Sequence, residues 1–333
     1  DAPAAIPDIG RWISGLADRS PAPPASASAR DARRSMDSGI REAAADPSRR
    51  SEPAIVELTG VGRTVSWEQL DSTATALAGG LWEAGVRPGE RVALLVPPGA
   101  DLAAALFACW RIGAVIVVAD AGLGLRGLAR ALRGAWPDHV IAVERGLLAA
   151  RLMGVGGRKF AAGPVNPRRA RALGAQDTLA GLARRGRGTV LPEGPATDDV
   201  AAVVFTSGAT GPAKGVVYRH GQIEANRDAL VALYGINAAD RLVAAFAPFA
   251  LYGPAMGITS VVPHMDVTQP GSLTATGLAD AVAAVSATLV WASPATLRNV
   301  VASAPGLSAD DRRALAGVRL LMSAGAPVPS ELL

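Results

Sequence analysis

Apolar positions along this chain switch repeatedly between short unbroken runs and helical spacing, and that switching predicts most of its elements. Ala54 to Leu58 is a short apolar run, turned by Gly60 and Gly62 into Thr64 and Val65. Ser66, with Gln69 three residues on, has capping-box spacing for a helix that runs to Glu83 and is closed by Gly85. Arg91 to Val96 then predicts a strand, Asp101 to Arg111 a helix, and Ala114 to Val118 a nearly all-apolar strand, with further units at Leu125 to Gly134, Val140 to Val143 and Glu144 to Met153. The second half repeats the grammar. Gln222 to Tyr234, Gly277 to Val285 and Pro294 to Ala302 have helical spacing, while Leu242 to Ala245, Leu289 to Trp291 and Val318 to Met322 have strand character. Such alternation predicts right-handed βαβ units in mostly parallel sheets, an α/β fold.

Two stretches break the pattern. Ser20 to Ser28 is Pro/Ala/Ser-rich and Arg30 to Arg50 is polar with at most one short helix, so residues 1–50 are expected to be a mostly disordered linker. Gly154 to Pro195 is rich in Gly, Arg and Pro and reads as long loops with one helix near Asp177 to Arg184. That interval is expected to join a first α/β subdomain, residues 51–195, to a second, residues 196–333. The most hydrophobic stretch, Val92 to Val118, is interrupted by Pro97, Pro98, Gly99, Asp101 and Arg111, so it reads as strand, helix, strand and not as a membrane span. The chain opens Asp-Ala-Pro without a signal-peptide pattern, and is expected to begin inside a longer protein.

Composition adds limits. With 333 residues and 50% hydrophobic content, the chain can bury a full core. Its single cysteine, Cys109, excludes an intrachain disulfide, says nothing against the expected cytoplasmic setting, and reads as a buried structural thiol. The formal charge is +4, and thirteen basic residues between Arg126 and Arg187 face only Asp138, Glu144 and Asp177. That excess suits anionic substrates, an acidic partner or simply a solvated face. With 4% aromatics and no basic stripe interleaved with them, nucleic-acid stacking has little support. No His/Cys/carboxylate cluster has metal-ligand spacing, and no Gly-x-Ser-x-Gly elbow is present.

The candidate chemistry lies between Val203 and Arg219, a strand, loop, strand unit with hydroxyls, glycines and one lysine in the loop. Gly208, Gly211 and Gly215 let bare amides approach a ligand, Thr206, Ser207 and Thr210 add donors, and Lys214 adds a mobile charge at the exit. These are the parts needed to hold a polyphosphate. The P-loop of nucleotide triphosphatases is excluded, because Lys214 stands between Ala213 and Gly215 and leads into a strand. A ligand-free Gly-rich hairpin is the alternative. Against it, the chain has 33 basic residues and only two lysines, Lys159 and Lys214, so a lysine in the glycine loop is not filler.

Residues 206–215, Thr-Ser-Gly-Ala-Thr-Gly-Pro-Ala-Lys-Gly, resemble the phosphate-binding loop of the adenylate-forming superfamily, departing from its usual form at Ala209 and Ala213. Three further stretches carry the resemblance in the same chain order. Trp110 to Asp120 is similar to a structural strand of the family and is read as packing only. Phe246 to Gly253 resembles the segment that lines the acyl pocket, making Phe249, Ala250, Tyr252 and Gly253 the pocket candidates, with Ala250 and Gly253 leaving room for chain atoms. Ser323 to Pro327 resembles the turn that cups adenine, making Ser323, Gly325, Ala326 and Pro327 its candidates. Within the superfamily, the absence of histidine from Phe246 to Gly253, together with Val117 to Gly124, Tyr218 to His220 and Val261 to Pro263, is similar to the β-lactone synthetases of the bacterial long-chain olefin pathway.

The resemblance implies ATP with Mg2+ and a carboxylic acid, most specifically a 2-alkyl-3-hydroxy fatty acid, which is adenylated and then closed to a β-lactone. A long-chain acyl-CoA or acyl-ACP ligase and a non-catalytic nucleotide-binding module are the alternatives. Lys214 and Thr206 are the implied catalytic residues, with Ser207, Gly208, Thr210, Gly211 and Gly215 holding phosphates, and the only metal is the one bound to ATP. The resemblance also allows fusion to, or association with, other olefin-pathway enzymes. His220, just after the loop, reads as a surface or capping residue, with a catalytic base as the alternative. The family's Tyr-Gly-x-Thr-Glu motif and small C-terminal domain are not found before Leu333, so the chain alone is expected to have little activity.

Overall fold

The computed structural model describes residues 35–332 apart from 61, 120–122, 207–213, 247–251 and 267–268. Among these residues are thirteen strands, β1 to β13 in chain order, in two sheets that belong to two compact units. One unit comprises residues 38–67 and 227–333, and the other residues 33–37 and 68–226.

In the first unit β1 (Pro53–Glu57), β2 (Arg63–Ser66), β10 (Arg241–Ala245), β11 (Thr259–Val262), β12 (Leu289–Ala292) and β13 (Leu320–Ser323) form a sheet of order β13-β12-β10-β11-β1-β2. Every pairing is parallel except β1 with β2. Helices Ala275–Val285 and Pro294–Ser303 bury Leu278, Val282, Leu297 and Val300 against Val243 and Val290 of that sheet. Burial of this kind contributes about 1.5 to 3 kcal/mol per large apolar side chain.

In the second unit β3 (Arg91–Leu95), β4 (Val115–Ala119), β5 (His139–Ala142), β6 (Arg158–Ala161), β7 (Ala175–Thr178), β8 (Val200–Thr206) and β9 (Lys214–Arg219) run in the order β7-β6-β5-β3-β4-β8-β9. All pairings are parallel until β9, which returns antiparallel to β8. The connections β4 to β5, β5 to β6 and β6 to β7 step in one direction across this sheet. Right-handed crossovers therefore put helices Gly124–Ala135, Glu144–Leu152 and Pro167–Ala172 on one face. Leu132, Leu147 and Ala170 from them share a core with Val140, Ala142 and Ala161. The step from β3 to β4 runs the other way, so helix Ala100–Arg111 covers the opposite face.

Three expectations are corrected. The interval 154–195 is not mainly loop, since it holds β6, helix Pro167–Ala172, β7 and helix Leu179–Arg185. Residues 1–34 lie outside the described residues, but 35–50 are not a linker: helix Ser38–Ala45 buries Ile40 and Ala43, and Met36 is buried before it. Asp37 is buried as well, and its carboxylate accepts from Arg111 Nε at 2.9 Å; the same guanidinium donates to Asp71 Oδ1 and to Thr75 Oγ1, each at 2.5 Å. Finally, a boundary at 195/196 would cut the seven-stranded sheet, because β8 and β9 belong with β3 to β7. Strand β11 and helix Ala309–Ala316 were not expected from the apolar pattern.

Candidate functional site

Strand β8 extends the parallel sheet beside β4, with Ala119 opposite Phe205. Its C-terminal end therefore lies at the edge where ligands bind in open α/β sheets. The antiparallel return sets Phe205 against Gly215 and Thr206 against Lys214, so Thr206 and Lys214 face each other across the mouth of the hairpin loop. Ser207, Gly208, Thr210 and Gly211 lie outside the described residues. Lys214 is exposed. Gly215 has a packing reason to be glycine, since a Cβ there would lie 3.0 Å from the Phe205 ring and 3.2 Å from Val203.

The other candidates belong to the six-stranded sheet, where Ala245, Ala292 and Ser323 stand side by side in register at the C-terminal ends of β10, β12 and β13. Phe246 follows β10, and Phe249 and Ala250 lie outside the described residues. Tyr252 opens the short helix Tyr252–Ala255, its ring 6.0 Å from that of Trp291, which is buried on β12. Gly325, with φ of 99°, occupies a conformation that favours glycine, and a Cβ there would come within 3.3 Å of the Phe246 ring. Phe246 thus stands beside Gly325 and shares a cluster with Trp291, the residue that Tyr252 faces.

Gly253 does something different from what was expected. A Cβ built on it would lie 1.7 Å from Ser260 Oγ, so the space is already filled by β11, and the glycine seats its helix on the sheet without adding volume for a chain. Ser260 is fully buried, and its hydroxyl has no hydrogen-bond partner among the described residues. Ser323 Oγ is likewise buried without a partner, at the strand end where the adenine turn begins. Ala326 and Pro327 are exposed beside it. Trp291 and Ser260 escaped the sequence reading because an indole and a hydroxyl on all-buried strands carry no signal beyond core.

His220 is not a surface residue. It is 4% exposed at the start of helix His220–Tyr234, edge to face with Trp110 at 5.8 Å, and its Nε2 has no partner among the described residues. Burial pushes its pKa below the ordinary 6.5 despite the opposing pull of Asp199 and Asp37. Cys109 is buried with its thiol pushed up to about 12, an inert packing group. Among the described residues, no group of three or more His, Cys, Asp or Glu is arranged to hold a metal ion. Nor is any helix there long and apolar enough to cross a membrane.

Comparison with known proteins gives a match to the AMP-binding enzyme family over residues 41–333. This chain belongs to that family. It is 37% identical over 283 residues to an olefin beta-lactone synthetase of Xanthomonas campestris pv. campestris, covering 81% of this chain and 47% of the relative. An olefin beta-lactone synthetase of Stenotrophomonas maltophilia is 34% identical over 280 residues with the same coverage. The chain therefore spans about half the length of these curated relatives, 47% in each case. Its fold is similar to that of an anthranilate CoA ligase solved in complex with anthranoyl-AMP, with a TM-score of 0.70 at 18% identity over 90% of this chain and 56% of that one. As an AMP-binding family member it has the α/β architecture of the adenylate-forming N-terminal domain.

Proposed function

We propose that this chain is the nucleotide- and acyl-handling part of a β-lactone synthetase acting on a 2-alkyl-3-hydroxy fatty acid. The observation that carries the reading is its 37% and 34% identity to two olefin beta-lactone synthetases over four-fifths of its length, 81% in both cases. In the proposed first step a carboxylate oxygen of the acid attacks the α-phosphorus of ATP. The bond to the β-phosphate breaks and pyrophosphate departs. In the second, the substrate's own 3-hydroxyl oxygen attacks the activated carbonyl, loses its proton, and expels AMP as the four-membered ring closes.

Lys214 and Thr206, with Ser207, Gly208, Thr210, Gly211 and Gly215, would neutralise and align the leaving phosphates. A fixed cation and amides act there where charge develops. Mg2+, when bound with ATP, would share that neutralisation. Ser323, Gly325, Ala326 and Pro327 would receive the adenine, while Phe249, Ala250 and Tyr252 would contact the alkyl chain. Gly253 enters only by seating the helix that carries Tyr252. A reducing cytoplasmic setting suits the one buried thiol.

The test is to give the full-length protein ATP, Mg2+ and a synthetic 2-alkyl-3-hydroxy acid without coenzyme A, and to follow AMP, pyrophosphate and lactone. Lactone with equimolar AMP is expected. Product that appears only when coenzyme A is added would assign a CoA ligase instead, and no acid-dependent pyrophosphate release would sink adenylation altogether.

A further inference from the structure

One face of the seven-stranded sheet carries a charge pattern that the proposed reaction does not use. The three helices on it, Gly124–Ala135, Glu144–Leu152 and Pro167–Ala172, bear eight arginines, every one exposed, against a single acid, Glu144. Glu144 is itself paired with Arg169 at 2.9 Å. Their apolar sides are already committed to the core through Leu132, Leu147 and Ala170. The outer layer is therefore guanidinium-rich by construction, and arginine is the side chain best shaped to grip phosphodiester oxygens two at a time.

Large apolar groups stand out of that basic layer. Trp136 is 79% exposed, Leu152 78% and Leu148 47%. Trp136 follows the first helix in a left-handed conformation and Leu152 ends the second. Both helices run back antiparallel to their strands, so both residues lie at the N-terminal edge of the sheet. Lys214 lies at the opposite edge. Between the second and third helices, a groove of about 220 Å³ is lined by Leu148, Ala172 and Leu173 together with Arg145, Arg169 and the Glu144 that pairs with Arg169.

We propose that this face docks on an anionic phospholipid surface. Charge complementarity selects the anion, and the exposed indole and leucines select a partner with an apolar layer beneath its phosphates. A nucleic acid would match the arginines and leave both leucines in water. The groove brings three apolar side chains next to Arg145, the guanidinium in its lining that Glu144 does not pair. Of the groups on this face, Trp136 and Leu152 lie at the sheet edge opposite Lys214.

The experiment is flotation of the full chain with vesicles of phosphatidylcholine alone or mixed with phosphatidylglycerol, at low and high salt. Capture by the mixed vesicles, lost at high salt, is expected. Arg126→Glu, Arg130→Glu and Arg145→Glu should each weaken it on the order of fivefold, and Trp136→Ser with Leu152→Ser should weaken it further while leaving heparin binding unchanged. All five positions are exposed, and circular dichroism and the thermal midpoint of each variant verify that it stays folded. Equal capture by neutral vesicles, no capture of the folded chain at low salt, or capture that survives the arginine reversals would each overturn the proposal. So would an RNA oligonucleotide or an acidic polypeptide that displaces the vesicles and binds independently of Trp136 and Leu152.

Discussion

Gly253→Ala in the full-length protein isolates a contact on which the acyl-side geometry depends. The added methyl carbon would lie 1.7 Å from Ser260 Oγ, 3.1 Å from Ser260 Cβ and 3.3 Å from Ile258 O, whereas carbon–oxygen contacts settle at roughly 3.5 Å. Ser260 is fully buried between β10 and β1, so its hydroxyl has nowhere to swing freely, and either the helix or the strand must yield. Overpacking of this kind costs about 1 to 3 kcal/mol, of which about 0.5 to 1 kcal/mol is returned because alanine favours a helix over glycine. A net loss of about 1 to 2 kcal/mol is expected.

Ser260→Ala removes the atom in the way and also a buried hydroxyl without a described partner, so alone it should be neutral or stabilising by about 1 kcal/mol. The double variant should regain most of the loss, a coupling of about 1 to 2 kcal/mol between two residues in contact. Urea unfolding followed by tryptophan fluorescence completes the four-protein cycle. Since the glycine serves packing and not pocket volume, the double variant should also keep its preference for acid chain length. Additive effects of the two substitutions, or a wild-type stability for Gly253→Ala alone, would show that the close contact with Ser260 is not what fixes this glycine. A shift in chain-length preference in the double variant would return Gly253 to the pocket.

Other consequences can be measured directly. Arg111→Met strands the buried Asp37 carboxylate and should cost about 3 to 5 kcal/mol in urea unfolding, with Arg111→Met/Asp37→Leu recovering a large part because the unpaired charge is gone; a loss below about 1 kcal/mol contradicts a buried pair. Because burial holds the His220 pKa below 6.5, its contribution to stability is complete above 6.5 and is lost as pH falls beneath it, where the unfolded chain takes up the proton first. His220→Gln should therefore flatten the stability profile between about pH 7.5 and pH 5.5, and an unchanged slope counts against a buried neutral imidazole. Lys214→Ala in the full-length enzyme should slow acid-dependent ATP/pyrophosphate exchange on the order of a hundredfold, the scale of losing one charge-stabilising donor; exchange at the wild-type rate would remove Lys214 from the phosphate site.

Much of the local structure was legible because the signals are local. Arg91 to Val96 and Leu242 to Ala245 are apolar runs of strand length, and β3 and β10 are found there. The hairpin of β8 and β9 followed from the same logic, since β-branched runs flank a stretch of glycines and hydroxyls. Where the reading failed, burial was not written in apolar letters. Thr259 and Ser260 make β11 look polar, although it is fully buried and Thr259 Oγ1 donates to Pro53 O at 2.6 Å. In β6 only Phe160 and Ala161 are buried, too few to outweigh Arg158 and Lys159. Helix Ala309–Ala316 did carry a legible signal, the capping box of Ser308 and Asp311, masked by a run of charge.

The sequence by itself determined which segments pair their hydrogen bonds locally, and its residues 206–215 carry the glycines, hydroxyls and lysine that make the hairpin between β8 and β9 the candidate phosphate site. Tertiary structure alone decided that Pro53–Glu57 pairs with Thr259–Val262, that residues 35–37 belong with Arg111, and that Gly253 is spoken for by Ser260. The physical reason is separation along the chain. A capping box or an apolar run is an interaction over a few residues, whereas Ile55 meets Ser260 only after some two hundred residues have folded back, and which distant side chain fills a given space is fixed by packing and not by period.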